Sequence, residues 1–92
     1  MKQETKCLHS GYVPKNGEPR QMPIYQSTTF KYDSSDAMGR LFDLEDSGYF
    51  YTRLANPTND AVADKIRELE GGAAAMLTSS GQAANFYAVF NI

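Results

Sequence analysis

The chain of 92 residues is long enough for one small domain, and its 41% hydrophobic and 22% charged content is ordinary for a soluble protein. A formal net charge of −2 gives no electrostatic basis for binding nucleic acid or an anionic membrane, and no apolar run approaches membrane-spanning length. Met1-Lys2-Gln3-Glu4 is polar where a secretory signal needs an apolar segment, and Cys7, the only cysteine, excludes an internal disulfide, so a reducing cytoplasmic setting is expected.

Residues 1 to about 50 show little sustained periodicity. Pro14, Pro19 and Pro23, with Gly11 and Gly17, interrupt regular elements and predict an extended arm or ordered loop. Ile24 to Tyr32 is rich in aromatic and hydroxyl side chains and can hold a short strand. Asp33-Ser34-Ser35-Asp36 offers N-cap residues for a short helix over Ala37 to Leu44, with Leu41 and Leu44 facing inward. Such an arm cannot bury itself. It needs a neighbour, either the rest of its own chain or another subunit.

Tyr51-Thr52-Arg53 follows, on the approach to a helix that opens at Asn56-Pro57-Thr58. An arginine held there can grip a phosphate through two parallel hydrogen bonds and stays charged at any relevant pH. If the stretch is extended, Tyr51 projects to the same side and can donate its hydroxyl to the same anion. The competing reading is a surface arginine beside a core tyrosine, which the aromatic run Tyr49-Phe50-Tyr51 favours.

Pro57 pre-sets helical φ, and Thr58 or Asn59 is the expected cap. Val62, Ile66 and Leu69 then mark one helical face, with Asp64, Lys65, Arg67 and Glu68 mostly toward water, until Gly71-Gly72 ends the helix. Ala73 to Leu77 reads as a buried strand, and from Gln82 onward Ala83, Ala84, Phe86, Tyr87, Val89 and Phe90 favour a second helix. Helix, strand and helix in succession predict an α/β layer architecture. The strand thus stops at Ser79-Ser80-Gly81, where free N–H groups and the positive end of a helix dipole suit a phosphate. Gly81 lets the backbone come close and the serines add hydroxyls, although small residues at such a turn commonly serve packing alone. The apolar segment Phe86 to Phe90 is followed by no C-cap glycine or polar tail, so the sequence is expected to be the N-terminal piece of a longer protein.

Five stretches, in one order, carry a resemblance. They are Leu8-His9-Ser10-Gly11, Pro23 to Phe30, Tyr51 to Thr58, Leu69-Glu70-Gly71-Gly72, and Ser79-Ser80-Gly81-Gln82-Ala83-Ala84. Over residues 7 to 90 the chain resembles the N-terminal part of the Cys/Met-metabolism family of pyridoxal 5'-phosphate (PLP) enzymes, which includes cystathionine γ-synthase, cystathionine γ-lyase, methionine γ-lyase and O-acetylhomoserine sulfhydrylase. The resemblance implies a fold-type I, aspartate aminotransferase-like α/β enzyme, with residues 1–55 an arm contacting the neighbouring subunit and 56–92 the start of the large PLP-binding domain. It implies that Ser80, Gly81 and Gln82 hold the cofactor phosphate, and that Tyr51 and Arg53, with Thr52 between them, reach the phosphate of the neighbouring protomer. A homodimeric catalytic unit follows from that arrangement, paired into a homotetramer.

The resemblance also places the cofactor-linked lysine, and the acidic partner of the pyridine nitrogen, beyond residue 92. None of Lys2, Lys6, Lys15, Lys31 or Lys65 lies in the family's lysine motif, and each reads as a solvated charge. The 92 residues alone are therefore expected to be inactive, with no catalytic residue among them. His9 reads as structural, Cys7 has no activating neighbour, and Asp43, Glu45 and Asp46 lack metal-ligand spacing. Gln82 and the Leu8-to-Tyr12 opening look more like the O-acetylhomoserine sulfhydrylase branch, which implies replacement of the γ-substituent of O-acetyl-L-homoserine by sulfide. A γ-lyase acting on methionine or cystathionine, or a catalytically inert interaction module, are the alternatives.

Overall fold

A computed structural model describes Met1–Ile92. Four helices follow one another, α1 (Gln3–His9), α2 (Ser35–Phe42), α3 (Pro57–Glu70) and α4 (Gly81–Phe90). The only β pairing is an isolated antiparallel bridge between Thr29 and Tyr51. The residues gather into two compact units, one of Met1–Val13 with Val62–Ile92, the other of Pro14–Ala61.

In the first unit, α1 is a helix where only an irregular arm was expected. Side-chain donors on its surface explain why it forms. The last carbonyls of α3 have no intrahelical partner, and Gln3 Nε2 donates to Leu69 O at 3.1 Å while Lys6 Nζ donates to Glu68 O at 3.4 Å. In return Lys65 Nζ donates to Cys7 O at 3.0 Å. A cation at a helix C-terminus also opposes the negative end of the dipole. Lys6 and Lys65 are therefore half-buried helix-end ligands and not the solvated charges expected of them. The expected apolar face of α3 is corrected in the same way. Leu69 is half-buried and Asp64 exposed as expected, but Val62 and Ile66 are exposed, whereas Lys65, Arg67 and Glu68 are half-buried.

Gly71, at φ +69°, ends α3, and Gly72 N–H reaches back to Arg67 O at 3.0 Å. That bond belongs to a Schellman-type stop, which needs the left-handed residue that glycine supplies. The following segment, Ala73 to Leu77, is not the buried strand expected of it. It is without strand pairing and exposed, because a strand needs a neighbour for its N–H and C=O groups and none of these 92 residues provides one. α4 likewise exposes Phe86, Tyr87, Val89 and Phe90, with Phe86 and Phe90 stacked one turn apart at 5.3 Å.

In the second unit, Ser34 caps α2 by accepting from Ala37 N–H at 3.1 Å. Leu41 is buried as expected, but Leu44 is 87% exposed. The helix stops earlier than its apolar spacing suggests. Leu44 takes the left-handed conformation (φ +63°), with its N–H on Leu41 O and Glu45 N–H on Arg40 O, the pair of bonds that closes a Schellman motif. That conformation turns the chain before Leu44 completes another helical turn. Around Leu41, the Tyr32 hydroxyl donates to Tyr49 O, and Phe42 and Phe50 meet at 4.7 Å. Gly48 fits closely here: a Cβ would stand 2.8 Å from the Tyr32 hydroxyl oxygen and 3.2 Å from Leu41 Cδ2.

Candidate functional site

The residues expected to bind phosphate fall in both units, and each group has its own local basis. In the Pro14–Ala61 unit, Thr52 N–H donates to Thr28 O at 2.8 Å and Phe30 N–H donates to Phe50 O at 3.3 Å, which holds residues 50–52 beside 28–30. Beyond Thr52 the chain turns. Leu54 and Ala55 N–H both reach Tyr51 O at 3.0 Å, so Tyr51–Arg53 is a turn and the extended geometry that would project both side chains to one side does not hold. The turn nevertheless brings the two side chains together, with the Arg53 guanidinium carbon 5.2 Å from the Tyr51 ring centroid. That distance suits a cation–π contact, which orients the guanidinium without consuming its N–H donors.

Arg53 is exposed and pairs with no carboxylate of the chain, so its donors are available to an anion. Thr52 is committed internally. Its hydroxyl donates to Ser27 O and its amide is already bonded to Thr28 O, so it anchors the turn from below. The helix that follows is capped by Asn56, in place of the expected Thr58 or Asn59. Asn56 Oδ1 accepts from Thr58 N–H at 2.8 Å, and Pro57 takes the first helical position where its missing donor costs nothing.

In the other unit, Ser80 is the N-cap of α4. Its φ of −160° is extended, its Oγ accepts from Ala83 N–H at 3.1 Å and its carbonyl accepts from Ala84 N–H at 3.1 Å. The amides of Gly81 and Gln82, the first two residues of the helix, donate to nothing in the chain. Apart from the adjacent residues and the helix's own backbone, no atom lies within 4 Å of where a Cβ on Gly81 would stand, so the space beside the first helical residue is open. Thr78 Oγ1 donates to Ser80 O at 2.9 Å and fixes the turn that leads in. Two open N–H groups, a hydroxyl and the positive end of a ten-residue helix fit an anion of phosphate type.

Sequence reasoning passed over Asn56. It is 2% exposed and uses both ends of its carboxamide, yet an asparagine before a proline is an ordinary turn signal. No cluster of histidine, cysteine or acidic residues is arranged to hold a metal, and no helix is long and apolar enough to cross a membrane.

A sequence model of the Cys/Met metabolism PLP-dependent enzymes matches residues 4–92. Among curated proteins, an O-acetyl-L-homoserine sulfhydrylase of Leptospira meyeri is 44% identical over 93 residues, covering 100% of this chain and 21% of its own length. One of Corynebacterium glutamicum is 46% identical over 90 residues, covering 97% of this chain and 21% of its own length. An L-methionine gamma-lyase of Fusobacterium nucleatum is 48% identical over 80 residues, 87% of this chain and 20% of its own. A crystal structure from Campylobacter jejuni, assigned as an O-acetylhomoserine (thiol)-lyase and holding pyridoxyl-lysine 5'-monophosphate, superposes on all of this chain and 22% of its own. Its TM-score is 0.88 at 36% identity. The chain thus spans about a fifth of the length of the curated relatives it matches.

Proposed function

Because the chain belongs to the Cys/Met metabolism family of PLP-dependent enzymes, we propose that the protein carrying it replaces the γ-substituent of O-acetyl-L-homoserine with sulfide, giving homocysteine and acetate. Its fold is that of the N-terminal region of a fold-type I, aspartate aminotransferase-like enzyme. The observation that carries the choice of reaction is extent of match. Similarity to the two sulfhydrylases runs over 97–100% of the chain, whereas the lyase of Fusobacterium nucleatum matches 87%.

The residues present fit the cofactor's phosphate. Gly81 and Gln82 would hold it through backbone N–H groups, with the Ser80 hydroxyl beside them. Tyr51 and Arg53 would hold the phosphate of the neighbouring protomer, with Thr52 fixing their turn. Residues 1–55 then act as an inter-subunit arm, 56–92 open the PLP-binding domain, and a homodimer is the catalytic unit, paired into a homotetramer. When bound, PLP supplies an electron sink for bond breaking at carbons of the substrate. This chain's own part is to bind and orient: a guanidinium and a helix N-terminus fix a dianion without moving any proton. The lysine that carries the cofactor lies outside these residues, so the 92 residues alone are inactive. The single cysteine supports a reducing, cytoplasmic setting.

Incubating the full-length protein with O-acetyl-L-homoserine, sulfide and PLP tests the reaction. Homocysteine forming in step with sulfide loss is expected, whereas 2-oxobutyrate release without sulfide consumption would sink it. The second reading, γ-elimination from methionine or cystathionine, draws on the 48% identity to the methionine gamma-lyase. That same assay separates the two. An inert interaction module is a third possibility, motivated by the exposed Phe86, Val89 and Phe90 of α4, and monodisperse monomers of the isolated chain in solution would count against it.

A further inference from the structure

The Arg53 side chain makes no hydrogen bond or ion pair with the chain, so its guanidinium is placed by the backbone of its turn together with the Tyr51 ring. The restraints on that backbone converge on one buried side chain. Asn56 Nδ2 donates to Tyr25 O at 3.0 Å and to Thr52 Oγ1 at 3.2 Å, while its Oδ1 accepts from Thr58 N–H at 2.8 Å. Thr52 is tied in turn to Ser27 O and Thr28 O. Thr58 completes the ring: its hydroxyl donates to Pro23 O at 2.6 Å and accepts from Tyr25 N–H at 2.9 Å. Residues 23–28 are thereby clasped to the turn on one side of Arg53 and to the first turn of α3 on the other.

We propose that Asn56 is the positioning residue of the anion-gripping turn, its carboxamide setting the placement of Arg53. The inference rests on the phosphate role proposed above for Arg53. An N-cap alone does not require asparagine, since serine and aspartate cap equally well. What asparagine adds is the amide donor. Nδ2 faces two acceptors, the Tyr25 carbonyl and a Thr52 oxygen whose proton is given to Ser27 O, and only a donor satisfies both. At 2% exposure no water replaces it.

The experiment is a double-mutant cycle in the full-length protein, read as the dissociation constant for PLP and, separately, as the melting temperature of the apoprotein. Asn56→Ser keeps a capping oxygen but cannot span to Tyr25 and Thr52. In the wild-type background it is expected to weaken PLP by roughly tenfold, the scale of misplacing a charge-assisted hydrogen bond. In an Arg53→Ala background the same change is expected to alter the constant by less than about twofold, because the residue it positions is gone. Equal weakening in both backgrounds, or none in either, overturns the proposal. An unchanged constant for Arg53→Ala alone instead refutes the phosphate role on which it rests. If Asn56→Ser does not fold, Thr52→Val, which removes one link of the clasp, carries the same cycle with the same expected non-additivity.

Discussion

Gly81→Ala separates a ligand's requirement for glycine from the fold's. Nothing lies within 4 Å of the added methyl, and Gly81 is not among the residues at positive φ, so the substitution meets neither a clash nor backbone strain. Alanine is the better helix former by up to about 1 kcal/mol in a helix interior, and by less at a first position. The apoprotein should therefore hold its melting temperature or gain about 1–2 °C, on the usual scale for a protein of several hundred residues. PLP binding should move the other way. A phosphate that closely approaches the open amides of Gly81 and Gln82 would meet the added methyl and bind less tightly. Charge-assisted hydrogen bonds are worth about 1.5–3 kcal/mol each, so the loss should be roughly tenfold to a hundredfold in affinity. Titrating the apoprotein with PLP by absorbance, alongside a thermal scan, reads both quantities. An unchanged dissociation constant would refute a close approach of the phosphate to Gly81, and a drop in apoprotein melting temperature would refute the open geometry.

Three further substitutions probe the fold, each read by thermal or denaturant unfolding of the full-length apoprotein. Gly48→Ala drives a Cβ to 2.8 Å from the Tyr32 hydroxyl oxygen and should cost about 1–3 kcal/mol through overpacking and the lost Tyr32–Tyr49 hydrogen bond; retained stability would show that Tyr32 can swing aside. Leu44→Gly should stabilise by about 1 kcal/mol, since it relieves a left-handed leucine whose exposed side chain buries nothing within these 92 residues; destabilisation would mean that Leu44 is covered in the full-length protein. Ser34→Ala should cost about 1 kcal/mol by removing the cap of α2, with Ser34→Asp restoring it.

What was legible in the sequence was local. Pro57 and Gly71 bound α3 as their backbone preferences dictate, and Ser80 opens α4 through a hydroxyl-to-amide bond three residues on. Five short stretches were enough to point to the family, because their order and spacing are jointly restrictive. What was not legible depends on partners distant in the chain. Ala73–Leu77 has strand-like residues and no strand beside it, and the side of α3 that packs is set by where α1 docks. The role of Asn56 was hidden for the same reason, since its donors reach Tyr25, 31 residues earlier. Arg53 and Tyr51 meet through a turn and not through strand alternation, so their pairing came from a conformation that the spacing did not indicate.

The most direct measurement compares PLP with pyridoxal, which lacks the phosphate, as ligands of the full-length apoprotein and of its Arg53→Ala variant. If Arg53 grips the phosphate, the substitution weakens PLP and leaves pyridoxal unchanged. Equal loss for both ligands, or loss for neither, would contradict the phosphate site.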